Sequence, residues 1–335
     1  MADSRKFLFI LLLVAMLAIS ACDIGDGEKT KGRAAKDVQG VFIGGSEALS
    51  LQFEENSPPQ TIFAKSGQTF DIEVKLKNNG ETEVPGSQVK VKISGLNPAD
   101  LKGLSSPLLS SLDQDVLKRE KTPEGAISEP AEIFARYIAL SYEAELPVGA
   151  SKDIDLRAEL CYPYSTQSLS ELCILQDPLG LGAEDKVCNF AEIVPTANSG
   201  APVQVTNIKE NPRKDEIQFV FTIAHNAASD GKTIYRDGTD CFMSDASEIR
   251  RHENLVLVNV DTLNKLSSLS CSGFTEKLTE KSGYVKLSSD GTSSSLICKF
   301  PVSSASTDFS EFVNIELKYQ YKDRVQKTIN VKSSG

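Results

Sequence analysis

Residues 67–80 read GQTFDIEVKLKNNG, and residues 215–231 read DEIQFVFTIAHNAASDG. In the first stretch Phe70, Ile72, Val74 and Leu76 alternate with Asp71, Glu73, Lys75 and Lys77 before Asn79-Gly80. That is the period-2 pattern of a half-buried antiparallel strand running into a turn. In the second, Ile217, Phe219, Phe221 and Ile223 take the same places 147 residues later, and His225 and Asn226 correspond to Asn78 and Asn79. Working outward, VKVKISGLNPADL (89–101) matches LVLVNVDTLNKL (255–266), each a strand entering a Leu-Asn turn suited to one helical turn. The string Glu159-Leu160-Cys161-Tyr162-Pro163-Tyr164 matches Glu316-Leu317-Lys318-Tyr319-Gln320-Tyr321 at an offset of 157. Upstream, FEENSPP and IKENPRK form a further pair. Similar elements in unchanged order point to an internal duplication.

Each copy carries about seven strand-like runs separated by turn residues, as in an antiparallel sandwich. The expected fold class is therefore all-β: two tandem antiparallel Ig-like β-sandwich domains, residues 41–197 and 198–335, after a lipoprotein signal peptide. Asp230-Gly231, Asp237-Gly238 and Asp290-Gly291 read as hairpin dipeptides of the type I′ kind. As calcium ligands they lack the D-x-D-x-D-G spacing such a loop needs. In AEIFARYIALSYEAEL helical and strand periodicities compete, and the alternation favours a strand from about Ile138 to Leu146, with Pro147 and Gly149 in the next turn. Residues 105–130 read as a long loop, and FVNIELKYQYKDRVQKTINVKS as a hairpin closing the second domain.

Residues 1–22, MADSRKFLFILLLVAMLAISAC, have a basic head, an apolar run from Phe7 to Ile19 and small residues before a cysteine. This is the layout of a secretory signal. The run is short for a bilayer span of about 20 residues, although an uncleaved anchor extending through Ala21 is the competing reading. Ile19-Ser20-Ala21-Cys22 resembles a prokaryotic lipobox, which implies a lipid on Cys22 as the mature N-terminus; the competing account is an ordinary signal peptide with a chance cysteine. Residues 22–40 then form a lipidated flexible tether, with a typical reach of roughly 24 Å. The partner expected first is thus the membrane, through that lipid.

The 36 Lys and Arg against 46 Asp and Glu give a net charge of −10 with no basic cluster, which argues against nucleic acid. Two histidines and no tryptophan leave little material for His-based catalysis or aromatic stacking platforms.

GQTFDIEVKLKNNGETEVPGSQVKVKI resembles the opening strands of CARDB-type Ig-like domains, the cell-adhesion-related modules of prokaryotic, notably archaeal, surface proteins. With CYPYSTQSLSELCI, VCNF and GAPVQVTNIKENP, the layout is similar to uncharacterised archaeal surface lipoproteins with tandem Ig-like domains, over most of residues 40–335. The resemblance implies surface location and a binding or structural role towards surface proteins or glycans, and it supplies no catalytic positions.

Apart from Cys22, six cysteines are available for disulfides: Cys161, Cys173, Cys188, Cys241, Cys271 and Cys298. An even number in an exported chain reads as a disulfide framework, and the absence of C-x-x-C disfavours zinc or a redox site. Cys173 with Cys188 and Cys271 with Cys298 are the local choices, leaving Cys161 and Cys241 to join the halves; unjoined, they would leave residues 195–203 free to act as a hinge. His225 and His252 sit in a strand end and a polar run, Glu54 and Glu55 are adjacent, and no nucleophile elbow or phosphate loop occurs. No metal, cofactor or catalytic residue is expected. The tyrosine pairs suit either a contact surface or, better, core packing. A non-catalytic adhesion, scaffold or envelope-binding role follows, with an exported hydrolase or an accessory subunit of an envelope enzyme, its site in the long first-half loop, as the alternative.

Overall fold

The computed structural model describes residue 38 and residues 40–102, 108–179, 187–227, 231–262, 268–301 and 307–335, all within one compact unit that begins at Ala35. Cys22, the signal segment and the tether apart from Val38 and Gly40 lie outside the described residues; Val38 is buried and the Gly40 carbonyl accepts from Lys121 Nζ (3.2 Å), so the end of the expected tether already belongs to the body. The fold is all-β and almost wholly antiparallel.

In the first half, β1 (Leu49–Phe53), β3 (Phe70–Asn78), β7 (Glu132–Tyr142) and β5 (Leu101–Lys102) make an outer sheet in that order. In the second, β10 (Val203–Pro212), β11 (Glu216–His225), β17 (Leu296–Pro301) and β14 (Ser270–Ser272) make another. The two orders are equivalent, with the repeated strands β3 and β11 second in each. Both outer sheets share one apolar core with a single ten-stranded sheet. Its main path runs β15 (Glu276–Lys277), β16 (Ser282–Lys286), β13 (Leu255–Thr262), β18 (Phe309–Ser333), β8 (Ser151–Ile174), β4 (Lys90–Ser94), β6 (Leu109–Ser111). Three short strands join it: β2 (Thr61–Ala64) and β12 (Thr233–Tyr235) on β18, and β9 (Thr196–Asn198) on β8.

The seam between the halves is β8 against β18, 24 residue pairs in unbroken antiparallel register from Ser151↔Lys332 to Ile174↔Phe309. At about 3.3 Å per residue this ladder runs about 80 Å. The C-terminal part of β18 pairs with β2 of the first half, and that of β8 pairs with β9 and packs on β10. Each half thus completes its sandwich with the other half's last strand.

The register also defines a local two-fold. The repeat equates Tyr162 with Tyr319 and Tyr164 with Tyr321, while the ladder pairs Tyr162 with Tyr321 and Tyr164 with Tyr319. Both relations hold only if an axis passes at Pro163/Gln320, which face each other. Inside, the four rings pack at centroid distances of 5.7 to 6.4 Å. All four are buried, so the tyrosines belong to the core at the join. Their hydroxyls are satisfied: Leu49 N–H donates to Tyr162 (3.2 Å), Thr82 N–H to Tyr164 (3.4 Å), Thr166 Oγ1 meets Tyr319 (3.3 Å) and His225 Nε2 meets Tyr321 (3.2 Å). Burial holds the Tyr162, Tyr164 and Tyr319 pKa values above the ordinary phenol value.

Several expectations change. The strand placed at Ile138–Leu146 is β7, which starts at Glu132 and ends at Tyr142. Its two competing periodicities have one cause, a bulge: Ala139 has φ 56°, the pairing with β3 shifts between Phe70 and Ile72, and the buried positions change from Ile133, Ala135 and Tyr137 to Leu140 and Tyr142. The closing hairpin is instead the single strand β18, because Lys322 and Asp323 stay paired with Cys161 and Leu160. Within 105–130 there is more than loop: β6, and bridges Val84↔Val116 and Lys121↔Ile127 that carry Val116 into the core. The Leu-Asn turn of the first half makes the expected helical turn, Pro98–Asp100 capped by the Asn97 side chain, while its counterpart at 263–267 lies outside the described residues.

Positive φ at Gly238 and Gly291, without it at Asp237 and Asp290, excludes type I′ turns there. Asp290 instead accepts from Thr292 N–H (2.9 Å) and Ser288 Oγ (2.5 Å). Asp230 lies outside the described residues. Gly80 is needed for space: a Cβ there would meet the Tyr164 hydroxyl and the carbonyl oxygens of Gly200 (2.5 Å) and Glu47 (2.7 Å).

Candidate functional site

The two-fold is broken most clearly at one pair of connections. Between β3 and β4 the chain uses 11 residues, 79–89, whereas the equivalent link between β11 and β13 uses 29, 226–254. The extra chain forms β12, a loop at 236–245 and the short helix α1 (Ala246–His252), which opens with Asp245 accepting from Ser247 N–H (2.7 Å) and Glu248 N–H (3.4 Å). This helix was hidden in sequence because SEIRRHEN has no apolar face to give it a period.

The inserted flap lies over the outward face of the shared sheet at the axis. Cys161 of β8 is disulfide-bonded to Cys241 with Cα atoms 5.9 Å apart, and both belong to a small apolar cluster with Tyr235, Phe242, Met243 and Ile249, separate from the main core. Lys90 reaches Asp240 at 3.2 Å, and the Phe242 ring lies 5.4 Å from both the Lys92 and Lys322 ammonium groups. The flap thus has covalent, ionic and cation–π ties to the first half's part of the sheet.

Between the flap and the short 82–88 connection runs a groove over the axis. One recess of about 300 Å³ is lined by Thr82, Glu83, Gln88, Pro163, Ser165, Asp237 and Lys318 among others. A second, of about 440 Å³, shares Gln88, Pro163 and Gly238 and adds Asp240 and Gln320. Both are in the range of ligand pockets, and loops meeting at a join between repeats are where such pockets form. Sequence reasoning missed this site because its walls come from segments about 150 residues apart; the Pro163/Gln320 mismatch within the repeated tyrosine string was the one available signal.

The groove floor contains an interruption in strand pairing. On the side of β8 away from β18, β4 pairs only as far as Cys161 and β9 begins at Ser168. Gln167 uses both backbone groups on this side, to Ser199, and the Ser165 carbonyl accepts from Thr82 Oγ1 at 2.7 Å. By the alternation of an antiparallel ladder, Ser165 N–H and Pro163 C=O point the same way. Proline is tolerated in mid-strand here because its missing N–H would face this unpaired edge.

Charge in the groove is uneven. Lys318 is drawn to Glu316 (3.0 Å) and Lys90 to Asp240, while Asp237 accepts from Tyr284 Oη at 2.5 Å and Glu83 has no partner among the described residues. Arg236 stacks 3.9 Å from the Tyr284 ring centroid and is turned to Glu276 at 2.8 Å. Glu83 and Asp237 therefore leave the groove with a negative bias.

The other residues singled out from sequence lie elsewhere. Cys173 is bonded to Cys188 and Cys271 to Cys298, the latter facing each other across β14 and β17. His225 is in the core against Tyr321, and His252 meets Glu248 at 3.2 Å on α1. Glu54 follows β1 and pairs with Lys75 at 3.6 Å. Residues 195–203 are built into the body through β9, the Ser199 contacts and buried Gly200 and Ala201, which leaves no hinge there. Among the described residues no group of three or more His, Cys, Asp or Glu side chains is placed to hold a metal ion, and no helix is long and apolar enough to cross a membrane.

No family model matches the chain, and no curated protein does. Among solved structures it aligns with a biofilm associated protein, BSP domain, at 9% identity and a TM-score of 0.13 over 82% of this chain, spanning about half (50%) of that one. It also aligns with the collagen binding domain of Erysipelothrix rhusiopathiae surface protein RspB, at 8% identity and a TM-score of 0.12 over 85% of this chain and 97% of that one. At such scores neither alignment bears on fold or function.

Proposed function

We propose that this chain is an exported, lipid-anchored surface protein that acts by binding or scaffolding rather than by catalysis. The observation carrying this reading is the set of three closed disulfides inside one β body, the chemistry of an oxidising compartment. The signal-like leader with Cys22 at its end agrees with that compartment. Behind a flexible tether, a body stiffened by the continuous β8–β18 ladder would offer its groove to surface proteins or glycans within the tether's reach of the membrane. Its net negative charge favours attachment through the lipid over adsorption to anionic headgroups.

The test is fractionation of cells expressing the chain and its Cys22→Ser variant. The parent should partition with membranes and carry a lipid on a mature N-terminal Cys22. The variant should be released or retained as uncleaved precursor. Clean cleavage elsewhere with unchanged membrane attachment would overturn the lipid anchor.

A further inference from the structure

We infer that the axial groove is a docking site for a short extended peptide of a partner protein, one carrying a basic side chain. This deepens the binding role proposed above and rests on it. The backbone supplies the first reason. The unpaired stretch of β8 directs Pro163 C=O and Ser165 N–H, an acceptor and a donor two residues apart, to the same edge, and both residues line the groove. An extended peptide repeats its own N–H and C=O with that two-residue spacing, so one lying along the edge satisfies both groups by strand addition. Sugar hydroxyls have no such repeat, and the groove displays no aromatic face for a sugar ring to stack on, since Tyr164 and Tyr319 are turned into the core.

The side chains supply the second reason. Glu83 is exposed on one wall and Asp237 stands on the other, while the nearby lysines are engaged by Glu316 and Asp240. A Lys or Arg side chain of the peptide would find a carboxylate on either side, with the exposed Gln88 amide available to hydrogen-bond its backbone. Pre-organisation is the third. The flap wall is fixed by Cys161–Cys241 and the opposite wall by Thr82 Oγ1 on Ser165, so little ordering accompanies binding.

The full-length chain in detergent would be titrated calorimetrically with Ac-Lys-Thr-Lys-Thr-NH2, with Ac-Glu-Thr-Glu-Thr-NH2 and with chitotriose, and amide exchange would be followed over residues 82–88, 163–167 and 237–241. The basic peptide should bind and slow exchange at Ser165, and Glu83→Lys, which replaces an exposed attraction with a repulsion, should weaken it by about fivefold. Ser165→Pro deletes an N–H that faces away from β18, and it should weaken binding comparably with the β8–β18 amides still protected. No binding of the basic peptide at millimolar concentration, equal binding of the acidic one, or protection of the same amides by chitotriose would overturn the proposal. None of these outcomes alters membrane partitioning, so failure here is distinguishable from failure of the lipid-anchor reading.

Discussion

Removing the Cys161–Cys241 bridge by the double substitution Cys161→Ser, Cys241→Ser tests whether the flap is integral to the body. The bridge closes a loop of 80 residues, and the Cys173–Cys188 bridge shortens that loop by 15 in the unfolded chain. For about 65 effective residues the chain-entropy relation gives about 4 kcal/mol at 25 °C. The flap's other ties are the pairing of β12 with β18, the apolar cluster of Tyr235, Phe242, Met243 and Ile249, the Tyr284–Asp237 hydrogen bond, and ion pairs such as Lys90–Asp240 and Arg236–Glu276; all of these hold the folded flap, whereas the bridge restricts the unfolded chain. They do not replace the bridge. The parallel variant Cys173→Ser, Cys188→Ser opens a 15-residue loop and should cost about 3 kcal/mol. Urea unfolding followed by far-UV circular dichroism measures both. A loss under about 1 kcal/mol for the Cys161–Cys241 variant would refute the reasoning, because the flap would then open locally without reporting on global unfolding.

Two further outcomes follow from single residues. Gly80→Ala forces a methyl group against the backbone carbonyls of Gly200 and Glu47 and should lower stability by about 1–3 kcal/mol in the same assay, although Gly80 has no positive φ to lose. Asp290 has its pKa lowered to about 2, first by the Ser288 hydroxyl and then by the Thr292 N–H and hydroxyl. Its folded value lies below the unfolded one, so the turn's stabilisation is complete above about pH 4 and is lost as pH falls through about 2; carboxyl carbon NMR should titrate there, and Asp290→Asn should remove the matching step in the Thr292 amide's protection relative to its intrinsic exchange rate.

The parts of this fold legible in sequence were those set by local pattern. Alternating apolar residues marked β3 and β11, and the repeated tyrosine string marked the strands that meet at the axis. Cysteine spacing suggested local pairs because short loops are easily closed. What stayed hidden depended on partners distant in the chain. Lys322-Asp323 looks like a turn until the facing residues Cys161 and Leu160 are known. Pro163 is at odds with a central strand until the edge it faces is seen to be unpaired. A bulge at Ala139 mixes two strand phases into something that imitates a helix. The groove is assembled from Thr82–Gln88, Pro163–Ser165 and Asp237–Asp240, and no local period connects such segments.

The interlocking of the halves through β8 and β18 underlies both the fixed groove and the stiff body. Pulse-labelled hydrogen exchange along a urea series, read on peptides from β3 and β7 and on peptides from β11 and β17, tests it directly. If each half completes its sandwich with the other's last strand, both sets should lose protection at one common midpoint; separate midpoints, with one half still protected while the other exchanges, would contradict the account.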